Sequence, residues 1–170
     1  KDSTKQQISQ SVKDFHFPRY NEIPNVGLYL EQATKYVGEY LAPLGEYTLT
    51  PSMISNYVKK GLIANPVKKQ YGREQIAYLF FIAVAKSVLS LDALTGFIKL
   101  QQQTYTLPKA YDYFAEELEN LLAFTFELKD TMEAVGEDNT DEKRLLYTCI
   151  VAAVQKVYLE KCLEAITKED

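Results

Sequence analysis

Apolar residues recur at helical spacing in six stretches of this chain, and the breaks between them fall at proline, glycine and short polar caps. Residues 28–41 put Leu30, Ala33, Tyr36, Val37, Tyr40 and Leu41 on one helical face, and Pro43 and Gly45 end the segment. Thr50 then reads as a helix cap, with Pro51 at the first helical position, where its missing N–H costs nothing. Met53, Ile54, Tyr57 and Val58 supply the apolar stripe of a short helix. Gly61 fits the position just past its end, where positive φ is cheap. Leu62 and Ile63 lead back into the core, and residues 65–72 are long enough for a tight hairpin and little else.

The stretch 73–89 is apolar around most of its circumference and reads as a central helix buried on several sides. Ser90 caps a further helix over 91–103, with Asp92 in its first turn. Two longer helices follow. One covers 108–135 with Tyr111, Phe114, Leu118, Leu121, Leu122, Thr125 and Leu128 in its stripe. The other covers 141–167, its broad inner face running through Leu145, Leu146, Cys149, Ala152, Ala153, Lys156, Val157, Leu159 and Leu163. Asn139 and Thr140 compete to cap it. The pair is expected to form an antiparallel hairpin that closes the back of the preceding module, makes a dimer surface, or both.

Before these elements lie a polar segment, 1–14, and an aromatic one, Phe15 to Tyr20, broken by Pro18. The first is expected to be a flexible or swapped arm, although Ile8 and Val12 would allow a loose amphipathic turn. The second is expected to pack as an irregular strap. The expected organisation is therefore a flexible arm at 1–14, a mainly helical unit at 15–103 and a C-terminal helical region at 104–170.

Net charge is −4 over 170 residues, and acidic side chains crowd the stretch 111–142. Charge therefore changes the picture only locally. Between residues 53 and 75, Lys59, Lys60, Lys68, Lys69 and Arg73 stand against Glu74 alone, a net +4. Helix, glycine stop, basic turn, helix is an order that presents one helix and one loop to DNA. On that reading Lys59, Lys60, Lys68, Lys69 and Arg73 meet phosphates. Ser52, Ser55 and Asn56 lie on the polar side of the short helix. Asn56 is the best candidate for a base edge, because its amide pairs bidentately with adenine in the major groove. Tyr71, expected at the loop tip, would lie against sugar or phosphate.

Catalytic chemistry finds little footing. The single histidine, His16, lies in the aromatic strap. Cys149 and Cys162 sit about 20 Å apart along one helix and read as packed free thiols. Glu116, Glu117 and Glu119 read as a solvated face. No phosphate loop, HExxH, GxSxG or paired CxxC occurs, so the expectation is a non-enzymatic protein without cofactor or metal. No stretch reads as a membrane span or a signal peptide, and the expected location is cytoplasmic.

The run from Tyr57 through Gly61 to Ile63, then Pro66, then Tyr71 to Ile76, resembles the start of a MerR-type regulator. Ser90 to Leu94 resembles the step those proteins make into their fourth helix. Across residues 15–165 the chain is more narrowly similar to the DUF1836 family of Firmicutes, through Phe17 to Pro24, Leu28 to Leu30, Tyr40 to Leu44 and Leu49 to Tyr57. That resemblance implies an all-α fold in the main, with a MerR-like winged helix-turn-helix, a short β-hairpin wing and the C-terminal hairpin. It implies Ser52, Ser55, Asn56, Lys59 and Lys60 on the helix side of a DNA interface, and Lys68, Lys69, Tyr71 and Arg73 on the wing side.

The chain departs from the MerR pattern where Ser55-Asn56-Tyr57 replaces an arginine before the tyrosine pair, and in its short wing. The resulting expectation is a transcriptional regulator that binds double-stranded DNA as a homodimer. The alternative is a protein-interaction module that keeps the fold without binding DNA. A third reading is a sensor holding a small-molecule effector in an aromatic pocket near Tyr36, Tyr78 and Phe81.

Overall fold

A computed structural model describes residues 2–136 and 139–168. Lys1, Glu137, Asp138, Glu169 and Asp170, and with them parts of the expected arm, of the turn before the last helix and of the C-terminal region, lie outside the described residues.

The polar N-terminal segment forms a helix, α1 (Asp2–Ser11), in place of the expected flexible arm. A few specific interactions seat it. The Ser9 hydroxyl donates to the Phe126 carbonyl at 2.7 Å, Lys5 pairs with Glu127 at 3.4 Å, and Val12 is buried just past the helix end. Residues 12–27 then wrap across the molecule, with Phe17 and Ile23 fully buried.

A short strand, β1 (Leu28–Tyr29), precedes α2 (Leu30–Leu41) and α3 (Pro51–Lys59). A second strand, β2 (Gln70–Tyr71), pairs antiparallel with β1, Leu28 opposite Tyr71 and Tyr29 opposite Gln70. Gly27 is needed at this crossing, because a Cβ there would lie 2.6 Å from the Cβ of Gln70. From β2 the chain enters α4 (Arg73–Ala85), then α5 (Leu91–Thr104), α6 (Leu107–Thr125) and α7 (Asp141–Thr167). The described protein is thus mainly helical, with seven helices and a small two-stranded sheet.

The cap chemistry explains the central boundaries. The Thr50 hydroxyl accepts the Met53 N–H at 3.1 Å, and Pro51 follows it. At the far end of α3, Gly61 has φ +79°. The Leu62 N–H reaches back to the Tyr57 carbonyl at 2.9 Å and the Gly61 N–H to that of Val58 at 3.0 Å. These are the two hydrogen bonds of a Schellman stop. Helix α4 is buried almost without interruption from Ile76 to Ala85, and Phe80 sits at its centre. The Phe80 ring lies 5.0 Å from Phe17, 5.7 Å from Tyr40 and 6.3 Å from Tyr111. One continuous apolar core therefore runs from Val12 to Val157, across the expected division at residues 103 and 104.

The two long helices differ from expectation in length and direction. Helix α6 stops at Thr125, ten residues short of 135. Glu127 has φ +60°, and the Leu128 N–H returns to the Ala123 carbonyl at 2.7 Å. This is the same stop as at Gly61, built on a glutamate. Leu128 continues the apolar period because a residue just past such a stop packs back on the helix.

Helices α6 and α7 then lie parallel, not antiparallel. Near their starts, Ala110 and Phe114 share a cavity with Leu146, and near their far ends the Phe126 and Tyr158 rings meet at 5.2 Å. Residues 126–140 span the return. Covering α6's roughly 28 Å takes about nine extended residues, so the connection is long enough. Along the way the Asn120 amide donates to the Glu133 carbonyl at 2.9 Å, and Tyr105 and Thr140 share a short hydrogen bond. Thr140 is the cap of α7, accepting the Lys143 N–H at 3.2 Å.

The inner face of α7 is narrower than its apolar content suggests. Leu146, Cys149, Ile150, Ala153, Val154 and Val157 are buried, whereas Leu145, Ala152, Lys156, Leu159 and Leu163 face outward.

Candidate nucleic-acid interface

Helix α3 separates its faces cleanly. Ile54 and Tyr57 turn inward and are buried. Ser52, Ser55 and Lys59 are exposed and Asn56 is half-buried. Their spacing of three and four residues places them on one helical face. Lys60, at the C-cap, extends the exposed edge.

The basic turn is tighter than a generic loop. The Val67 N–H donates to the Gln70 carbonyl at 3.1 Å, and the Gln70 N–H to that of Val67 at 2.9 Å. Two residues, Lys68 and Lys69, make the whole reversal. Both have positive φ, +51° and +64°. A two-residue hairpin requires this of both central positions, and Asn-Gly is the sequence that adopts it without strain. Lysine at both is costly, by about 1 kcal/mol each or more. Both ammonium groups are exposed, and among the described residues none of Lys59, Lys60, Lys68 and Lys69 forms an ion pair with a carboxylate.

Two residues expected on the hairpin side are turned to other work. Tyr71 does not lie at the tip. It is 4% exposed, paired with Leu28 in the sheet, and burial pushes its phenol pKa up. The alternation of a strand sends one neighbour out and the next in, and Tyr71 is the inward one. Arg73 is committed to the strap. Its Nε donates to the Ile23 carbonyl at 2.9 Å and a terminal nitrogen to that of Asn21 at 3.3 Å, while the guanidinium lies 5.7 Å from the Tyr20 ring centre. The basic set that faces outward is therefore lysine alone.

The strap has a receptor that the sequence concealed. Glu119 takes both guanidinium nitrogens of Arg19, at 3.0 and 2.9 Å, and the Phe17 N–H at 2.8 Å, and it pairs with His16 at 2.9 Å. The hydrogen bond to Glu119 raises the Arg19 pKa above its ordinary value, more than burial lowers it. Asp112 accepts the Tyr20 N–H at 2.8 Å, and the Tyr111 hydroxyl donates to the Pro18 carbonyl at 2.6 Å. The acidic run is thus only partly a solvated face. Glu119 is a clamp and Glu117 is 3% exposed.

Burial raises the Glu117 pKa, against a smaller opposing effect from its Asn120 hydrogen bond and from Lys143. A carboxyl that holds its proton longer in the folded state loses stability as pH rises through that range. Glu117→Gln is therefore expected to gain on the wild type progressively as pH rises above the ordinary carboxylate range, about 4 to 4.5, in denaturant titrations. A gap that stays constant with pH would show that the buried carboxyl is not the cause.

The thiol of Cys149 is pushed up to about 11 by burial, which suits a packed residue and not a nucleophile. No helix among the described residues is long and apolar enough to cross a membrane.

A helical protein with a small sheet whose second strand begins directly after its basic turn is the class that this fold defines. The chain belongs to the family described as Domain of unknown function (DUF1836), whose model matches residues 18–114. That span takes in the strap only from Pro18 on, then the sheet, α3, the basic turn and α4, and ends midway through α6, well short of residue 165. No curated protein and no solved structure matches the chain.

Proposed function

We propose that this protein is a non-enzymatic, DNA-binding transcriptional regulator whose α3 and basic turn act as the recognition helix and wing of a MerR-like winged helix-turn-helix. The observation that carries the reading is the pair Lys68 and Lys69. Two lysines occupy left-handed positions at the tip of a two-residue hairpin, where other residues would be more stable. Strain of this kind collects where function requires a particular side chain. Phosphate contact is such a requirement. Lys59 and Lys60 extend the positive edge from α3, and Ser52, Ser55 and Asn56 offer hydrogen bonds on its outward face. Exposed Leu159, Leu163 and Ile166, spaced along one side of α7, support association as a homodimer, which would double a modest footprint.

Exchanging Lys68 and Lys69 for Asn and Gly separates function from fold. The double variant is expected to be about 1 kcal/mol more stable, because the turn now suits its residues. Its affinity for any duplex is expected to fall about tenfold. Denaturant titration and fluorescence anisotropy read the two effects. Stability gained with no loss of duplex affinity would contradict the proposal.

The inward turn of Tyr71 and the commitment of Arg73 to the strap favour a second reading, a protein-interaction module on the same fold. On that reading the variant gains stability and shows no change toward DNA.

A further inference from the structure

The aromatic pocket expected near Tyr36, Tyr78 and Phe81 narrows to about 50 Å³, about a third of the ~150 Å³ that holds a benzene ring, and Tyr36 packs outside it against Tyr40 and Phe80. The most exposed aromatic side chain among the described residues lies elsewhere. It is Tyr29, 53% exposed, on the outer face of the sheet.

Three adjacent backbones form that face. Tyr29 lies opposite Gln70, and Gln70 lies opposite Val67 across the two-residue turn. Directly opposed residues of antiparallel strands point to the same side. Val67, Gln70 and Tyr29 therefore make one row, about 10 Å long at the usual strand spacing, on the side away from Leu28 and Tyr71, which pack on the core. Both ends of the row are apolar and open, Val67 being 73% exposed. Between them the Gln70 side chain lies flat over Gly27, where an added Cβ would come within 2.5 Å of its Oε1. Gln75 holds this plate in place. Its Oε1 accepts the Gly72 N–H at 2.5 Å, and its Nε2 donates to the Ala64 and Asn65 carbonyls at 2.9 and 3.1 Å. Both ends of the turn segment are thereby tied to α4. A fixed, exposed apolar surface is pre-organised for contact.

We propose that this row is a sugar-contacting surface, with Tyr29 and Val67 packed on the deoxyribose rings of the strand whose phosphates Lys68 and Lys69 hold. The assignment rests on the DNA-binding reading and adds a second chemistry to it. A DNA strand alternates anionic phosphates with less polar sugars. The plate matches that alternation, with two ammonium groups that no described carboxylate pairs at its tip and an apolar row behind them. The row is longer than the ~6 Å width of the minor groove, so it lies across the backbone and does not enter the groove. A sugar contact neutralises no phosphate and reads no base.

Anisotropy titration of the full chain with a mixed-sequence DNA duplex, between about 50 and 200 mM salt, separates this contact from those of the lysines. Tyr29→Ala should weaken binding about fivefold at every salt concentration and leave the salt slope unchanged. Tyr29→Phe restores the ring and should recover most of that loss. Val67→Ala, added to Tyr29→Ala, should weaken binding about a further twofold, and at 73% exposure it spares the fold. Unchanged affinity in both alanine variants, while Lys68→Glu with Lys69→Glu still weakens binding and flattens the slope, would overturn the sugar contact, leave the DNA reading standing and leave the row to a protein partner. A slope lowered by about one in Tyr29→Ala, or a Tyr29→Phe as weak as Tyr29→Ala, would overturn it too, since either assigns the residue to a phosphate. No duplex binding by the wild type would overturn both readings.

Discussion

Reversing both turn charges, Lys68→Glu with Lys69→Glu, should weaken binding to every duplex by about 30- to 100-fold near 100 mM salt. The loss should be uniform across sequences, because lysines at a hairpin tip meet phosphates and carry no base readout. It should also flatten the dependence of affinity on salt, lowering the slope by about two, one for each phosphate that a lysine no longer neutralises. Stability should change by less than about 0.5 kcal/mol, since both side chains are exposed and unpaired with any described carboxylate. Anisotropy titrations at several salt concentrations would read both quantities. Unchanged affinity and slope would mean that this turn does not touch DNA.

Phe17→Ala should have the largest effect on the fold, a loss of about 4 kcal/mol. The ring is fully buried and lies 4.8 Å from Phe15, 5.0 Å from Phe80 and 5.8 Å from Phe114. Its backbone N–H is held by Glu119. Truncation leaves a cavity at the point where the strap, α4 and α6 meet, and the neighbouring hydrogen bonds limit collapse around it. The denaturation midpoint should fall with little change in slope. A loss below about 1 kcal/mol would show that the strap lies on the core without completing it.

Much of the fold is legible in the chain because its boundaries carry their own chemistry. Thr50 with Pro51, Gly61 and Ser90 each place a helix end where the structure has one, and of the two candidates Asn139 and Thr140 it is Thr140 that caps α7. The nearly uniform apolar circumference of residues 76–85 announces the central helix. The failures are equally specific. Glu127 ends α6 with a glycine-like conformation that its identity does not signal, and Leu128 keeps the period alive past the end. From there the direction of α7 does not follow, since residues 126–140 suit a loose turn or a full return along the helix.

The basic segment is legible as charge but not as geometry. Lys68 and Lys69 are the whole turn, and the one-residue alternation of a strand sends Tyr71 inward. Arg73 and Glu119 show only their charge in the sequence. Their partners, the Ile23 carbonyl and Arg19, lie 50 and 100 residues away along the chain. Spacing carries no trace of such pairs. A proline-broken aromatic strap beside an acidic helix is the available sign.

The most direct test of the central claim is selection of genomic DNA fragments on the purified protein at about 100 mM salt, with the Lys68→Glu/Lys69→Glu variant alongside. A regulator should recover fragments sharing a motif, and the variant should recover none of them. Recovery by the wild type no better than by the variant would contradict DNA recognition through α3 and its hairpin, and would leave this surface to a protein partner.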